Sequence, residues 1–458
     1  MLAEPSLVET SPLELVGRAV DLASSYGAEQ CDAFANAQTE STVSIRLGEI
    51  EKLIEATSRS LGLRVITGGR TAVCSTSDFT DAAFEQFVAD TVELAAISAP
   101  DEFAGLPEPE SLASKGADSL QLYDERIEIL SLDERINVAR SCEAAALSFD
   151  SRITNSEGAS LSTSIGEVAL ANSRGFAASY PATSISLSTE ALADDKDGKK
   201  RNAWWFSAER NLRSLMDPET LGRIAAQRAV DQLGARKTET KRVPVIFEPM
   251  MAARLAGDVA GCATGGALYR GATFLAGRVG ELIASPLVNV VDDPTLPARA
   301  GSRPFDGEGV SARRNVLFEE GRFAGFLFDC YTARRMDSKT TGSAQRGVAS
   351  LPEPGPANLI FEPGATAAED IVADTTEGLL VTALMGFGFN PTTGDYSRGV
   401  GGFWIENGAI AYPVAEANIS GNISSMLADV DAVGSDLSWF GSTAAPTIRI
   451  SQMTVSGV

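Results

Sequence analysis

Two carboxylates separated by one glycine have the spacing in this chain that best suits acid and base chemistry. Asp306 and Glu308 lie in the segment PFDGEGV, residues 304–310. If burial moved their pKa values apart, one could donate a proton while the other accepts one. The sequence gives no sign of burial, and the Gly-x-Gly spacing is typical of tight turns. A structural role is therefore the simpler interpretation.

A second polar group lies in the glycine-rich stretch 393–402. It contains two hydroxyl groups, one carboxylate and one guanidinium, in Asp395, Tyr396, Ser397 and Arg398. Glycine lets two backbones approach closely, and an extended peptide binds by adding main-chain hydrogen bonds to an exposed strand. These residues, with Asp306 and Glu308, are the candidate contacts for a peptide or a partner protein. The alternative is a loop that connects two strands.

Asp258 and Cys262 are four residues apart and share one face of a predicted helix, so they could be two ligands of a metal site. Two ligands are too few for a zinc site. A cysteine in a helix rich in alanine and glycine is more often a small packing residue. The sequence therefore favours packing over metal binding at this position.

The chain has no histidine among its 458 residues. This absence excludes Ser-His-Asp triads, Cys-His pairs, histidine-ligated zinc and an imidazole base. Five cysteines are spread without a Cys-x-x-Cys pair, which is typical of reduced, mostly buried thiols.

The charge balance argues against two classes of partner. With 61 acidic and 38 basic residues, the formal net charge is −23, which repels nucleic acid and anionic membrane surfaces. The N-terminal residues lack the pattern of a secretory leader, and no apolar run is long enough to span a membrane. We therefore expect a cytoplasmic protein.

The elements that position these residues predict an α+β fold in three segments. Residues 1–110 and 117–235 read as helix, antiparallel meander and helix, and 241–458 as a glycine-rich, largely β domain. Ser11 is the predicted N-cap of the first helix. Helical periodicity covers 12–26, 81–97, 132–149 and 218–233, and short strands are predicted at 32–37, 41–47, 50–57, 61–66, 71–75, 153–164, 167–173 and 184–191.

Several segments of the C-terminal half occur in a specific order. A buried strand at 243–247 leads into the helical run MMAARLAGDVAGCATGGALYRG, and a strand pair turns at Glu320-Gly321. KTTGSAQRG, FGFNPTTGDYSRGVGGFWIENGAIAYPV, NISGNI and MTVSG follow. Together these segments resemble the TldD/PmbA family, known as putative modulators of DNA gyrase and U62-like peptidases, and more closely its PmbA (TldE) branch.

The resemblance implies where a metal motif would lie. Members of the TldD branch are metalloproteases that hold zinc with a His-Glu-x-x-x-His motif on this helix and a cysteine near the C-terminus. Here the corresponding positions, taken to within one residue, are Ala256, Gly257 and Gly261, and the last cysteine is Cys330. The resemblance therefore implies that no catalytic residue and no metal ligand is present in this chain, and that zinc belongs to a TldD-type partner.

Three functions remain open. The first is a non-catalytic subunit of a TldD/TldE-type heteromeric metalloprotease that degrades or matures small unfolded or modified peptides. The second is a homodimeric peptide-binding or regulatory module without protease activity. The third is an independent hydrolase that uses carboxylates such as Asp306, Glu308 or Asp395 with Mg or Mn. Direct contact with nucleic acid has no physical support, given the net charge of −23.

Overall fold

A computed structural model describes residues 10–114, 118–196 and 198–457. The starts of the first two predicted segments, at residues 1 and 117, and the end of the third, at residue 458, lie outside the described residues. The fold is α+β, as predicted, with helices concentrated in the first half and a largely β second half. The boundaries of the three segments stay a prediction.

A six-stranded antiparallel sheet dominates the first half of the chain. Its strands run in the order β3-β2-β1-β4-β5-β6, so strands from the first two predicted segments form one sheet. The strands are β1 (Gln30–Arg46), β2 (Glu49–Thr67), β3 (Arg70–Thr76), β4 (Ile153–Asn172), β5 (Ala177–Asp194) and β6 (Lys200–Glu209).

The strands of this sheet are longer than predicted. Where five short strands were expected between 32 and 75, three long ones are present, and the breaks placed at 38–40 and 58–60 are wrong. The polar residues Gln38, Thr39 and Glu40 stay in β1 because β2 and β4 pair with that strand on both sides. Backbone hydrogen bonds thus maintain the strand where the side-chain pattern suggests a loop.

The helices lie along one face of the first sheet. Ala33 and Ala35 of β1 pack with α1 and α2, and Val43 and Ile45 pack with α4 and α5. Ser11 caps α1 in a capping box with Glu14, as its position predicts. The helices of this half are α1 (Pro12–Ser25), α2 (Asp81–Ile97), α3 (Glu125–Glu128), α4 (Leu132–Leu147) and α5 (Pro218–Asp231).

The C-terminal half contains two further sheets of six strands. The first has the order β16-β15-β14-β7-β20-β17, and an additional pairing of β16 with β20 closes five of its strands into a barrel. Its strands are β7 (Lys241–Phe247), β14 (Glu377–Met385), β15 (Asp395–Glu406), β16 (Ala409–Asn422), β17 (Val430–Val433) and β20 (Ile448–Gly457).

The remaining sheet has the order β10-β9-β8-β13-β19-β18. The turn predicted at Glu320-Gly321 joins β9 to β10, and both residues have positive φ. The strands are β8 (Val290–Asp292), β9 (Asn315–Glu319), β10 (Arg322–Phe323), β13 (Leu359–Phe361), β18 (Ser438–Phe440) and β19 (Thr443–Ala445), and a small ribbon pairs β11 (Ala344–Gln345) with β12 (Glu353–Pro354).

Helix α6 (Pro249–Cys262) is buried between these two sheets and belongs to the largest hydrophobic cluster of the protein. Among the described residues, no helix has both the length and the apolar composition required to cross a bilayer. The other helices of this half are α7 (Gly265–Tyr269), α8 (Cys330–Arg335), α9 (Ala368–Ala373) and α10 (Ile423–Ala428).

The close packing of α4 on α5 gives a stability prediction. A Cβ added at Gly222 of α5 would lie 2.1 Å from the backbone oxygen of Cys142 in α4. We therefore expect Gly222→Ala to lower the free energy of unfolding by about 1–3 kcal/mol, because the helices must separate.

Gly17 in α1 provides the matched control, since an added Cβ there meets nothing within 4 Å. Gly17→Ala should stabilise the protein by about 0.5–1 kcal/mol, because alanine has the higher helix propensity. Urea denaturation followed by circular dichroism measures both. Equal effects of the two substitutions would contradict the close approach of α4 and α5.

Candidate functional site

Asp306 and Glu308, the carboxylate pair found in the sequence, are both buried, at 2% and 1% exposure. Asp306 accepts backbone hydrogen bonds at Oδ1 from Glu308 and Val310 and at Oδ2 from Ala344. Gly309 adopts a φ of 84°, which makes the segment the tight turn that the Gly-x-Gly spacing indicates. The carboxylate of Asp306 therefore holds a turn in place.

Glu308 belongs to a buried ion cluster that sequence reasoning missed. Its Oε1 accepts a 3.3 Å hydrogen bond from Nη1 of Arg64, and its Oε2 accepts a 2.7 Å bond from the backbone N–H of Cys330. Nε of Arg64 also donates to Oδ2 of Asp32 at 3.1 Å, and Nη1 of Arg346 donates to Oδ1 of Asp32 at 2.7 Å. We call Asp32, Arg64, Glu308 and Arg346 the interface cluster.

The interface cluster joins the first sheet to the C-terminal half. Asp32 on β1 lies directly opposite Arg64 on β2, on the sheet face that the helices do not cover. Glu308 and Arg346 approach that face from the C-terminal half. A signal was available in the sequence, because Arg64 interrupts the apolar run Leu61–Ile66, which is buried throughout. A charge in such a strand requires a buried partner.

The charges of this region shift the pKa values of its carboxyl groups. Burial, reinforced by the charge of Glu308, raises the pKa of Asp306 to about 7. The same two causes raise the pKa of Asp329 to about 6. Burial opposes ionisation of Asp32 as well, but the guanidinium groups of Arg346 and Arg64 outweigh it and lower the pKa of that carboxyl.

The second candidate group, Asp395 to Arg398, is divided between two faces of β15. Asp395 and Ser397 are exposed, whereas Tyr396 and Arg398 point inward and are 1% and 9% exposed. The stretch is a strand, and neither a connecting loop nor a free edge. β16 pairs with it on one side, and Gly388 and Phe389 pair with it on the other. The prediction that a peptide strand adds to the sheet at this position is therefore wrong. Contact with a peptide or a partner protein through the side chains stays a prediction.

Arg398 crosses from β15 to α6, where its Nη2 donates to both carboxylate oxygens of Asp258, at 3.0 and 2.8 Å. Burial raises the pKa of Asp258 despite this ion pair. The hydroxyl of Tyr396 lies beside the pair, is buried and has no hydrogen-bond partner among the described residues. Arg398 thus joins β15 to α6 at Asp258.

The family positions on α6 do not converge on one point. Ala256 is 3% exposed and packs in the core, whereas Gly257 and Gly261 lie on the exposed side, where an added Cβ meets nothing within 4 Å. Cys262 is buried, and its Sγ lies 3.9 Å from the backbone oxygen of Pro391.

A zinc ion does not fit the donors of α6. Zinc requires three or four ligands in tetrahedral geometry, with any cysteine ionised. Asp258 is already bound to a guanidinium, whose positive charge repels a cation, and burial with the nearby Asp258 raises the pKa of Cys262 to about 12. In the described part of the chain, no group of three or more aspartate, glutamate or cysteine residues is arranged to hold a metal.

Comparison with known proteins identifies the family. Residues 240–457 match the PmbA/TldA metallopeptidase C-terminal domain, 125–233 match its central domain, and 31–95 match its domain 1. Metalloprotease PmbA of Escherichia coli O157:H7 is 33% identical over 446 residues, covering 97% of this chain and 96% of that protein. A Haemophilus influenzae homologue of PmbA is 32% identical and covers 97% of this chain and 96% of its own length.

The TldD branch is more distant, since the Haemophilus influenzae TldD homologue is 26% identical over 72% of this chain and 73% of its own length. Among solved structures, a putative modulator of DNA gyrase from Bacteroides thetaiotaomicron superimposes with a TM-score of 0.91 at 26% identity, covering 97% of this chain and 98% of that one. TldE of Thermococcus kodakarensis shares the fold, with a TM-score of 0.86 at 23% identity over 97% of this chain and 100% of that one. The resemblance to the PmbA branch is confirmed, and the chain belongs to the PmbA/TldD family of metallopeptidase-like proteins.

Proposed function

We propose that this chain is a subunit without a metal site in a heteromeric metalloprotease of the TldD/TldE type. It acts in the cytoplasm, where a TldD-type partner of similar fold contributes the zinc and the complex degrades or matures small unfolded or modified peptides. The observation that supports this function is the Asp258–Arg398 ion pair on α6, in a chain that has no histidine.

The ion pair supports the proposal because a metal bound to Asp258 would have to displace Arg398. Both oxygens of Asp258 accept hydrogen bonds from Arg398, which is 9% exposed. Displacing that guanidinium would leave a buried cation without its partner, which costs several kcal/mol. The charge of Asp258 is thus balanced by a protein group.

The buried position of Asp306 and Glu308 argues against an independent hydrolase that uses these two carboxylates. An acid or base must come within hydrogen-bond distance of the substrate. Both oxygens of Asp306 accept backbone hydrogen bonds, and both oxygens of Glu308 are bound to Arg64 or to the backbone of Cys330. We therefore assign these two residues to the structure of the interface and not to catalysis.

The experiment compares the isolated chain with its mixture with the TldD-type chain of the same organism. Zinc is quantified by atomic emission, and cleavage of an unstructured fluorogenic peptide is measured with and without a chelator. We expect substoichiometric zinc and no cleavage from the isolated chain. The mixture should form a stable complex whose cleavage is sensitive to the chelator and is lost when the partner's histidines are replaced.

Two results would contradict this function. Stoichiometric zinc together with chelator-sensitive cleavage by the isolated chain would restore the independent enzyme. A stable homodimer that ignores the TldD-type chain would instead favour the peptide-binding or regulatory module. Arg398→Met serves as an internal control, because removal of the guanidinium alone should not create zinc binding when histidine is absent.

A further inference from the structure

A cavity of about 290 Å³ lies where the first sheet meets α7, α8 and the β11–β12 ribbon. It is separate from the ion pair on α6. Its apolar lining, which we call the apolar wall, includes Ile66, Tyr269, Leu351 and Pro352. Leu351 is 52% exposed and Tyr269 is 37% exposed, so this side opens to solvent. Ligand sites in proteins combine apolar walls of this kind with a few polar groups.

Asp329 is the most deeply buried of the acidic residues that line this cavity. It is only 1% exposed. Oδ1 accepts hydrogen bonds from the backbone N–H and the hydroxyl of Thr332. For Oδ2, no hydrogen bond is found within the described ranges. The second oxygen of a buried carboxylate is thus left for a ligand that donates hydrogen bonds.

The charges around Asp329 favour a cationic donor. Arg64 also lines the cavity, but its guanidinium is bound to Asp32 and Glu308. Arg270 lies at the exposed side, with its guanidinium 5.6 Å from the ring centre of Tyr269. Burial, reinforced by the negative charge of Glu308, raises the pKa of Asp329, so an ionised carboxylate without a partner is unfavourable here. A positive group beside Oδ2 would offset this cost.

We propose that this cavity binds the free amino terminus of a short peptide, with the ammonium on Asp329 and the first side chain against the apolar wall. The volume of about 290 Å³ is at the lower end for ligand sites, so it accommodates one or two residues. An ammonium is a compact charge and can direct one of its three N–H donors to a single open oxygen. This inference extends the proposed function by naming the end of the peptide that the subunit holds.

Isothermal titration calorimetry on the isolated full chain tests the proposal. The probes are the tripeptide Leu-Gly-Gly, its N-acetylated form, and Nα-acetyl-lysine amide, which carries an ammonium on a side chain. We expect the free tripeptide to bind at least about tenfold more tightly than the acetylated one, because a hydrogen bond to a charged group is lost. Tighter binding of the lysine amide would overturn the assignment to an amino terminus.

Two substitutions locate the site. Asp329→Asn keeps an acceptor for Thr332 and should weaken binding of Leu-Gly-Gly by roughly 10- to 100-fold. Ala104→Leu fills the cavity without touching the carboxylate and should weaken binding of the same probe. Asp21→Asn makes the same chemical change on the exposed side of α1 and should leave affinity unchanged.

Unchanged affinity in both cavity variants, or equal affinity for the acetylated tripeptide, would overturn the site. Thermal melting checks that each variant folds. One variant changes the carboxylate and the other fills the cavity, so misfolding of one leaves the other as a test. No TldD-type chain is present in this assay. A negative result therefore rejects only the cavity, while failure to form a complex rejects only the proposed function.

Discussion

Replacing Arg64 with methionine is expected to lower the free energy of unfolding by about 3–5 kcal/mol. The side chain of Arg64 is 5% exposed, and its two acidic partners, Asp32 and Glu308, are 0% and 1% exposed. Removing the guanidinium leaves both carboxylates buried close together without their shared cation. Because the interface cluster links the two halves of the molecule, the loss should appear as separation of the first sheet from the C-terminal half.

Arg152→Met is the matched control. Arg152 forms a bidentate ion pair with Asp150, but its side chain is 53% exposed. An exposed pair contributes about 0–1 kcal/mol, so this substitution should have little effect. Urea denaturation followed by tryptophan fluorescence compares the two variants. Similar urea midpoints for the two variants would contradict a stabilising role of the interface cluster.

Stability should fall as pH rises from about 4 to about 7. Burial and the charge of Glu308 raise the pKa of Asp306 to about 7 and that of Asp329 to about 6, from an ordinary value of 3.8. In this window the folded protein retains protons that the unfolded chain has released, so rising pH favours unfolding. At about 1.4 kcal/mol per pKa unit, Asp329 alone contributes roughly 3 kcal/mol.

Asp32 has the opposite effect at lower pH. Its pKa is lowered by Arg346 and Arg64 against the effect of burial. The stability that the ionised carboxyl provides is therefore lost as the pH falls below the pKa of Asp32 in the unfolded chain. The two trends together place the stability maximum of this region on the acidic side of neutrality. Urea denaturation across the pH range from 3 to 8 measures both limbs.

The Asp329→Asn variant isolates one of the contributing groups. It removes the carboxyl whose pKa is raised, so its stability should vary less between pH 4 and 6. At pH 8 the variant should be more stable than the parent, because an unfavourable buried charge is gone. Parallel pH profiles for the two proteins would show that Asp329 is not the responsible group.

The helices were predictable because their signals are local. Ser11 before the first turn indicates an N-cap, and the spacing of Val16, Ala19 and Val20 indicates the buried side of α1. The resemblance to the TldD/PmbA family placed the family positions on α6, a helix whose sequence is likewise continuous. Each of these patterns lies within a few turns of one helix, so no knowledge of the fold is required.

The geometry of the candidate sites could not be predicted in the same way, because it depends on contacts between residues far apart in the sequence. Asp306 and Glu308 were identified as a pair, but the buried partner of Glu308 is Arg64, which precedes it by 244 residues. The division of Asp395–Arg398 between two faces required the pairing of β15 with strands on both sides. Alternation of exposed and buried residues in that stretch could have been predicted only if it had been recognised as a strand.

The shared first sheet has a consequence for synthesis of the protein. One edge of β1 is covered by β2 soon after both are made, but its other edge pairs with β4, with Asp32 opposite Asn172 and Ile45 opposite Ala159. More than a hundred residues must leave the ribosome before that edge is covered, which takes on the order of ten seconds at typical elongation rates. During this interval the nascent chain presents an open β-strand, and binding by a chaperone would protect it from aggregation.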